Sequence, residues 1–247
     1  MKKYNKEKKK EPKKKTIPKM RKDFEIIDHD AIIFDKDSKQ VLAVYLKQTL
    51  NRKMIEIGRN MIAFKRKGVR KSISNSDVPI WTTLLGRSFP KYVPPGYLSP
   101  ASKQNLELFH GDVKVFMRYL ERYMKKYVPH DYYDMKKLSR KIPKDHQIGD
   151  AWHNFQVNYD YRSRYHKDAQ DTSQYSIVCP FYNFDGAEIV LPAYQVVFPA
   201  KEGDIVLMNQ HEIHGNLPLK KGHRLSVIPY THAGFNHYRK QVVPRHK

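Results

Sequence analysis

The second half of the chain sets the narrowest limits on the fold. From Ala151 onward it breaks into short segments: NFQVNYDYRSRYHKDAQ, QYSIVCPFYNF, GAEIVLPAY, QVVFPA, GDIVLMN and HRLSVIPYTH. Each is rich in Val, Ile, Tyr or Phe, and Gly, Pro or Asp separates it from the next. Segments this short, closely and regularly spaced, predict an antiparallel sandwich or barrel. No internal repeat is present.

The first half reads less regularly. Residues AIIFDKDSKQVLAVYL (31–46) predict strand, polar turn, strand. Residues 47–100, basic and interrupted by Pro and Gly, predict extended connections with a short strand near Ile80–Leu85. Val113, Phe116, Met117, Leu120, Met124 and Tyr127 recur at helical spacing, with Lys114, Arg118, Arg122 and Lys125 on other faces. That pattern predicts an amphipathic helix over roughly 103–127, stopped near Pro129, whose apolar stripe packs against the sheet. Residues 130–150 read as a loop or short helix. The expected class is mostly β with flanking helices. It comprises one domain over 23–247, an N-terminal elaboration over 23–130 and a core over about 150–232.

Charge separates off the first 22 residues. The chain of 247 residues has a formal charge of +22, and MKKYNKEKKKEPKKKTIPKMRK carries twelve Lys/Arg against two Glu, a net +10. A segment with so few apolar residues and such self-repulsion is expected to be a disordered basic arm. A phosphate-seeking arm, a nuclear address and a solubilising tail all have this composition. No apolar run reaches the ~18 residues of a spanning helix, and no apolar region follows the N-terminal charges. The single Cys179 excludes an internal disulfide and a cysteine-based zinc site. A soluble, intracellular, monomeric protein without a membrane partner is expected, nuclear if the source is eukaryotic.

Within YRSRYHKDAQD (161–171), His166 and Asp168 stand two residues apart. On a strand they project from one face and could share a metal ion; a solvent-facing pair, or an Asp capping a turn, is the plainer reading. A redox-active ion such as Fe(II) needs a third ligand and open positions. NQHEIHGNLP offers His211 and His214, in an order unlike the HExxH of zinc proteases, with His214 the stronger candidate. Arg224 lies ten residues beyond His214, and Ser226 shares its strand face. A guanidinium with a neighbouring hydroxyl suits bidentate capture of a carboxylate, which a 2-oxo-acid co-substrate would present.

HxD, a strand ending in a distal His, and an Arg about ten residues on resemble the Fe(II)/2-oxoglutarate dioxygenases. The resemblance runs through GAEIVLPAYQVVFPAKEGDIVLMN and covers roughly 150–232. It implies a double-stranded β-helix (jelly-roll) core. It also implies His166, Asp168 and His214 as catalytic iron ligands, and Arg224 with Ser226 holding the far carboxylate of 2-oxoglutarate. O2 is the second co-substrate; succinate and carbon dioxide are released as a C–H bond is hydroxylated.

VNYDYRSRYHKDAQD is most similar to the TET/JBP branch, which oxidises the methyl group of pyrimidine bases such as 5-methylcytosine or thymine. The similarity marks Asn158, Tyr159 and Tyr161 as substrate residues; Asp171 stands where that branch has Asn. Nucleic acid is then the expected partner, DNA ahead of RNA. KRKGVRK (65–71), Arg87, Lys91 and the arm would meet phosphates, and Tyr92, Tyr97, Tyr159, Tyr161 or Tyr165 would stack on a displaced base. A prolyl-type protein hydroxylase and a non-catalytic nucleic-acid-binding jelly roll are the alternatives.

Overall fold

The computed structural model of the protein describes residues 1–64, 81–88, 97–98, 105, 109–140, 148–169 and 171–231. The sequence segments quoted above become strands β7 (Asn154–Tyr159), β8 (Tyr175–Phe181), β9 (Phe184–Gly186), β10 (Ile189–Leu191), β11 (Val196–Phe198), β12 (Ile205–Asn209), β13 (Gly215–Asn216), β14 (Leu219–Gly222) and β15 (Leu225–Tyr230). Ahead of them come β1 (Lys2–Lys6), β2 (Glu25–Ile26), β3 (Ala31–Asp35), β4 (Val41–Leu46), β5 (Trp81–Ser88) and β6 (Tyr97–Leu98). Among the described residues one sheet has the order β1-β3-β4-β12-β8-β15-β7-β5-β6, and a second runs β13-β10-β11-β2. Antiparallel β12, β8, β15 and β7 face the smaller sheet: a jelly roll, as expected.

Period-two alternation divides the core in two. On β7, Phe155 and Val157 point outward to the helices while Gln156 and Asn158 point between the sheets; on β15, Leu225 and Val227 point outward while Ser226 and Ile228 point inward. The outer cluster takes Phe155, Ile177, Phe181 and Leu207 against helix α2 (Lys114–Tyr127). Phe116 of α2 sits 6.4 Å from the Phe155 ring and 6.1 Å from Phe181. Each such buried aromatic contributes roughly 1.5–3 kcal/mol over an exposed one. Inside α2, Glu121 is buried and accepts the backbone N–H groups of Asp150, Ala151 and Trp152, pinning the segment that enters β7.

The structure corrects several expectations. Helix α1 (Arg52–Asn60) occupies part of the stretch expected to lack regular structure. Asn51 caps it, its side chain accepting Met54 N–H at 3.0 Å. Gly58 lets α1 approach so closely that a Cβ there would stand 2.1 Å from Phe181 Cζ. The described start of α2 is Lys114, after a π-helical turn at Phe109–Val113; of the expected 103–108 extension only residue 105, in a turn, is described. Pro129 opens helix α3 (Pro129–Ser139) as well as ending α2, because Val128, just before a proline, leaves the helical region at φ −136°, ψ 59°. The strand near Ile80–Leu85 is present as β5.

The largest departure is the arm expected to be disordered. Lys2–Lys6 forms β1, parallel to β3 with Lys2 opposite Ala31, and satisfies an otherwise open sheet edge. Acidic partners offset the self-repulsion that the sequence implies: Lys6 pairs with Glu25, Lys8 with Glu11 and Glu212, Lys9 with Glu7, and Arg21 with Asp23. Three of these carboxylates, Asp23, Glu25 and Glu212, lie outside the arm. Among the described residues no helix is long and apolar enough to cross a membrane.

Candidate metal centre

β7 stops at Tyr159 because Asp160 turns the chain at φ +50°, a conformation Asp tolerates better than most residues. The Asp160 carboxylate accepts the backbone N–H of Arg224 at 2.7 Å and faces His223 Nδ1 at 2.7 Å, fixing the entry to β15. Residues 161–164 then run without regular structure. Ser163 is anchored through its N–H and hydroxyl to Asn216 Oδ1.

His166 and Asp168 therefore do not sit on a regular strand. His166 makes one isolated antiparallel bridge with His214, with N–H···O distances of 3.0 and 2.9 Å in the two directions, and Asp168 N–H donates to Gln210 C=O. The extended geometry of the bridge suffices to project both side chains inward. Ligand atoms of His166, Asp168 and His214 all lie within 4.8 Å of one another. Asp168 Oδ2 is 3.6 Å from His166 Nε2 and 3.7 Å from His214 Nε2.

The tautomers suit a metal ion. His166 Nδ1 is 2.7 Å from Arg164 C=O and His214 Nδ1 is 2.9 Å from Glu212 C=O. A carbonyl can only accept, so both Nδ1 atoms carry hydrogen and both Nε2 lone pairs face Asp168. Burial, then the neighbouring His166, pushes His214 down to about 4, so it stays neutral and ready to ligate at neutral pH. The His214 side chain is 9% exposed, against 40% for His166 and 42% for Asp168, so the trio is walled on one side and open on the other. Two imidazoles and one carboxylate on one side of an ion match the donor set of non-haem Fe(II) sites. His211 is turned away, its Nε2 3.1 Å from Asp171 C=O.

The open side faces a cavity of about 460 Å³ between the sheets, also lined by Gln156, Asn158, Tyr161, Gln210, Arg224 and Ser226. Arg224 precedes the first residue of β15, and keeps the inward parity of Ser226. It is buried, its Nε has no hydrogen-bond partner, and its guanidinium carbon lies 5.8 Å from the Phe184 ring centre. Burial lowers its pKa to about 10, opposed by Glu188 and Asp160, so it remains charged. A buried cation with an unpartnered N–H in a cavity is arranged for an anionic ligand.

Of the expected substrate residues, Asn158 and Tyr161 line this cavity and Tyr159 does not. Strand alternation sends Tyr159 to the opposite face, where it stacks on His223 with centroids 5.5 Å apart. Tyr165 lines the cavity but is buried in the inner core cluster. KRKGVRK, Lys91 and Tyr92 lie outside the described residues; Arg87 and Tyr97 fall on β5 and β6. Gln156, Gln210 and Asn216 went unrecognised in the sequence. Gln156 had a signal, its even spacing with Asn158 on a β7 whose odd positions are apolar; the other two had none.

No family model matches the sequence, and no curated protein is similar to it. Solved structures do match. NgTET1, solved in complex with 5mC DNA, overlays with a TM-score of 0.64 across 85% of this chain and 78% of that one, at 15% identity. The chain shares its fold with NgTET1. Weaker overlays include the viral collagen prolyl hydroxylase of Paramecium bursaria Chlorella virus 1, with a TM-score of 0.45 over 78% of this chain and 96% of that one at 11% identity. A prolyl-4-hydroxylase of Pseudomonas putida gives 0.42 over 77% and 91% at 13% identity.

Proposed function

We propose that this protein is an Fe(II)/2-oxoglutarate-dependent dioxygenase that hydroxylates the methyl group of a pyrimidine base in nucleic acid. One observation carries the enzymatic reading: two bare imidazole nitrogens and a carboxylate converge in the same cavity as a buried arginine with an unsatisfied N–H. The fold shared with NgTET1, seen with methylated DNA, supports the choice of substrate.

In this reading His166, Asp168 and His214 hold the iron, and the carbonyls of Arg164 and Glu212 hold the two rings in the ligating tautomer. Arg224 would hold the far carboxylate of 2-oxoglutarate, with Ser226 beside it on the same strand face. When bound, iron, O2 and 2-oxoglutarate would supply the oxidation, with one oxygen atom going to the C–H bond, the other to succinate, and carbon dioxide released. The inward amides of Gln156 and Asn158, 3.0 Å apart, offer donors and acceptors for the edge of a base. The apolar walls Val178, Ile189 and Met208 limit water around the reacting atoms.

The test is succinate formation from 2-oxoglutarate with Fe(II) and ascorbate, with methylated DNA, matched unmethylated DNA or no substrate. Stimulation by the methylated duplex alone is expected, with the oxidised base identified by mass spectrometry of the digest. His166→Ala and Asp168→Ala are each expected to abolish turnover with the circular dichroism spectrum unchanged. Undiminished succinate in either variant overturns the metal assignment. Turnover that ignores DNA overturns the substrate and leaves the oxygenase.

A further inference from the structure

The arm does not leave the fold; it is laid along the loops that carry the metal ligands. Lys9 N–H donates to Ala193 C=O at 2.7 Å, at the turn between β10 and β11. Glu11 pairs with Lys167, which stands between His166 and Asp168, at 2.7 Å. Lys15 N–H donates to Tyr165 C=O at 2.7 Å, and Tyr165 N–H to Thr16 C=O at 2.9 Å. Arg164 and Arg162 donate from their guanidinium groups to the carbonyls of Lys15 and Pro18 at 3.0 and 2.8 Å. Pro18 packs over Gly215, beside His214, where a Cβ would approach Pro18 Cγ to 2.9 Å.

This path sorts the arm's charges. The carboxylates that the arm meets in ion pairs here are Glu11 with Lys8 and Lys167, Glu212 with Lys8, and Glu7 with Lys9. Among the described residues Lys10, Lys13, Lys14 and Lys15 meet no carboxylate, and all four are exposed. Thr16 N–H closes a turn on Lys13 C=O at 3.2 Å, and Lys15 is held within it at φ +67°. That left-handed conformation disfavours any residue with a Cβ and persists only where surrounding contacts impose it. Lys15 itself lines the cavity. Lys14 and Lys13 are one and two residues away, so their Cα atoms lie within roughly 7 Å of Lys15.

We propose that Lys10, Lys13 and Lys14, fixed beside the cavity mouth by the arm's contacts with the HxD loop, form a phosphodiester-binding track for the strand that delivers its base to the site. Several unneutralised, exposed charges along the chain leading to the cavity-lining Lys15 fit a polyanion whose phosphates recur along its length. The proposal rests on the reading above only in taking nucleic acid as the polyanion. It assigns the arm a defined surface in place of a free tether.

The test compares the full chain with K10Q/K13Q/K14Q and with a charge-matched control, K2Q/K3Q/K39Q, altered at the distant sheet edge and hairpin. Binding of a labelled duplex containing 5-methylcytosine, and of the RNA of the same sequence, is titrated over a range of salt. The track variant is expected to lose at least about tenfold in affinity near 0.1 M salt, and its log K against log [salt] slope is expected to fall by about 2–3. The control should keep both within about twofold, and melting temperatures should match across all three proteins. Equal losses in both variants reduce the effect to net charge and overturn the track, as does an unchanged slope in K10Q/K13Q/K14Q. Failure of the wild type to bind either nucleic acid overturns it too. Binding that follows the track without methyl-dependent succinate formation keeps the track and overturns the function proposed above. The stronger of the DNA and RNA arms names the nucleic acid.

Discussion

At the residue scale the site depends on atoms left unsatisfied by the protein itself. Arg224 is buried with an orphan Nε–H, which costs free energy until an anion pairs with it. Arg224→Lys keeps the charge and removes the planar fork. Losing one charge-assisted hydrogen bond, worth about 1.5–3 kcal/mol, should raise the KM for 2-oxoglutarate roughly 10- to 100-fold and leave Fe(II) affinity unchanged. A KM within twofold of wild type would remove Arg224 from the co-substrate site. Asp160 was not singled out from the sequence, yet it ties the Arg224 backbone to the end of β7. Only the positive φ and the contact across 64 residues give it that role.

At the element scale, helices α2 and α3 hold β7 in place through buried polar groups as well as through the apolar stripe. Ser139 of α3 hydrogen-bonds His153 Nε2 at 2.8 Å, and burial drives His153 down to about 3. Its folded pKa lies below the ~6.5 of an unfolded chain. The unfolded state therefore binds the proton first, and the stability contributed by neutral His153 is full above ~6.5 and lost as pH falls towards 3. Glu121, pushed up to about 7 by burial although three backbone N–H donors pull it down, acts in the opposite sense and is common to wild type and variant. His153→Asn should therefore reduce the pH slope of unfolding free energy between about 6.5 and 4 by up to ~1.4 kcal/mol per pH unit. Equal slopes in urea titrations of the two proteins would contradict the assignment.

At the scale of the whole molecule, the first 22 residues are part of the structure that bears the site. They supply an edge strand to one sheet and a strap across the loops holding His166 and His214. A chain beginning at residue 23 loses those hydrogen bonds and is expected to be less stable by at least ~2 kcal/mol, lowering Tm by about 4–8 °C. A dangling tail would leave Tm untouched, so calorimetry of the truncated chain separates the two pictures. Between the sheets, β12, β8, β15 and β7 each send polar or medium-sized side chains inward at alternate positions. Four strands must be in register before that alternation becomes a cavity.

The sequence alone determined the features governed by local periodicity and by motif order. Short β-branched and aromatic segments between turn residues specified an antiparallel sandwich or barrel, and helical spacing from Val113 to Tyr127 specified α2. HxD, the distal His and the following Arg specified side chains that the fold brings to one cavity. Tertiary structure decided what depends on partners distant in the chain. The arm reads as disordered because its charges repel one another, and it is ordered because Glu212, remote in sequence, and Glu25, just beyond the arm, neutralise part of it. Tyr159 reads as a substrate residue by its place near HxD, and strand parity turns it to the other face. His214 rather than His211 faces Asp168 because only His214 bridges the backbone of His166. A motif fixes which atoms are available to bind, and the pairing of segments far apart in the chain fixes where they point.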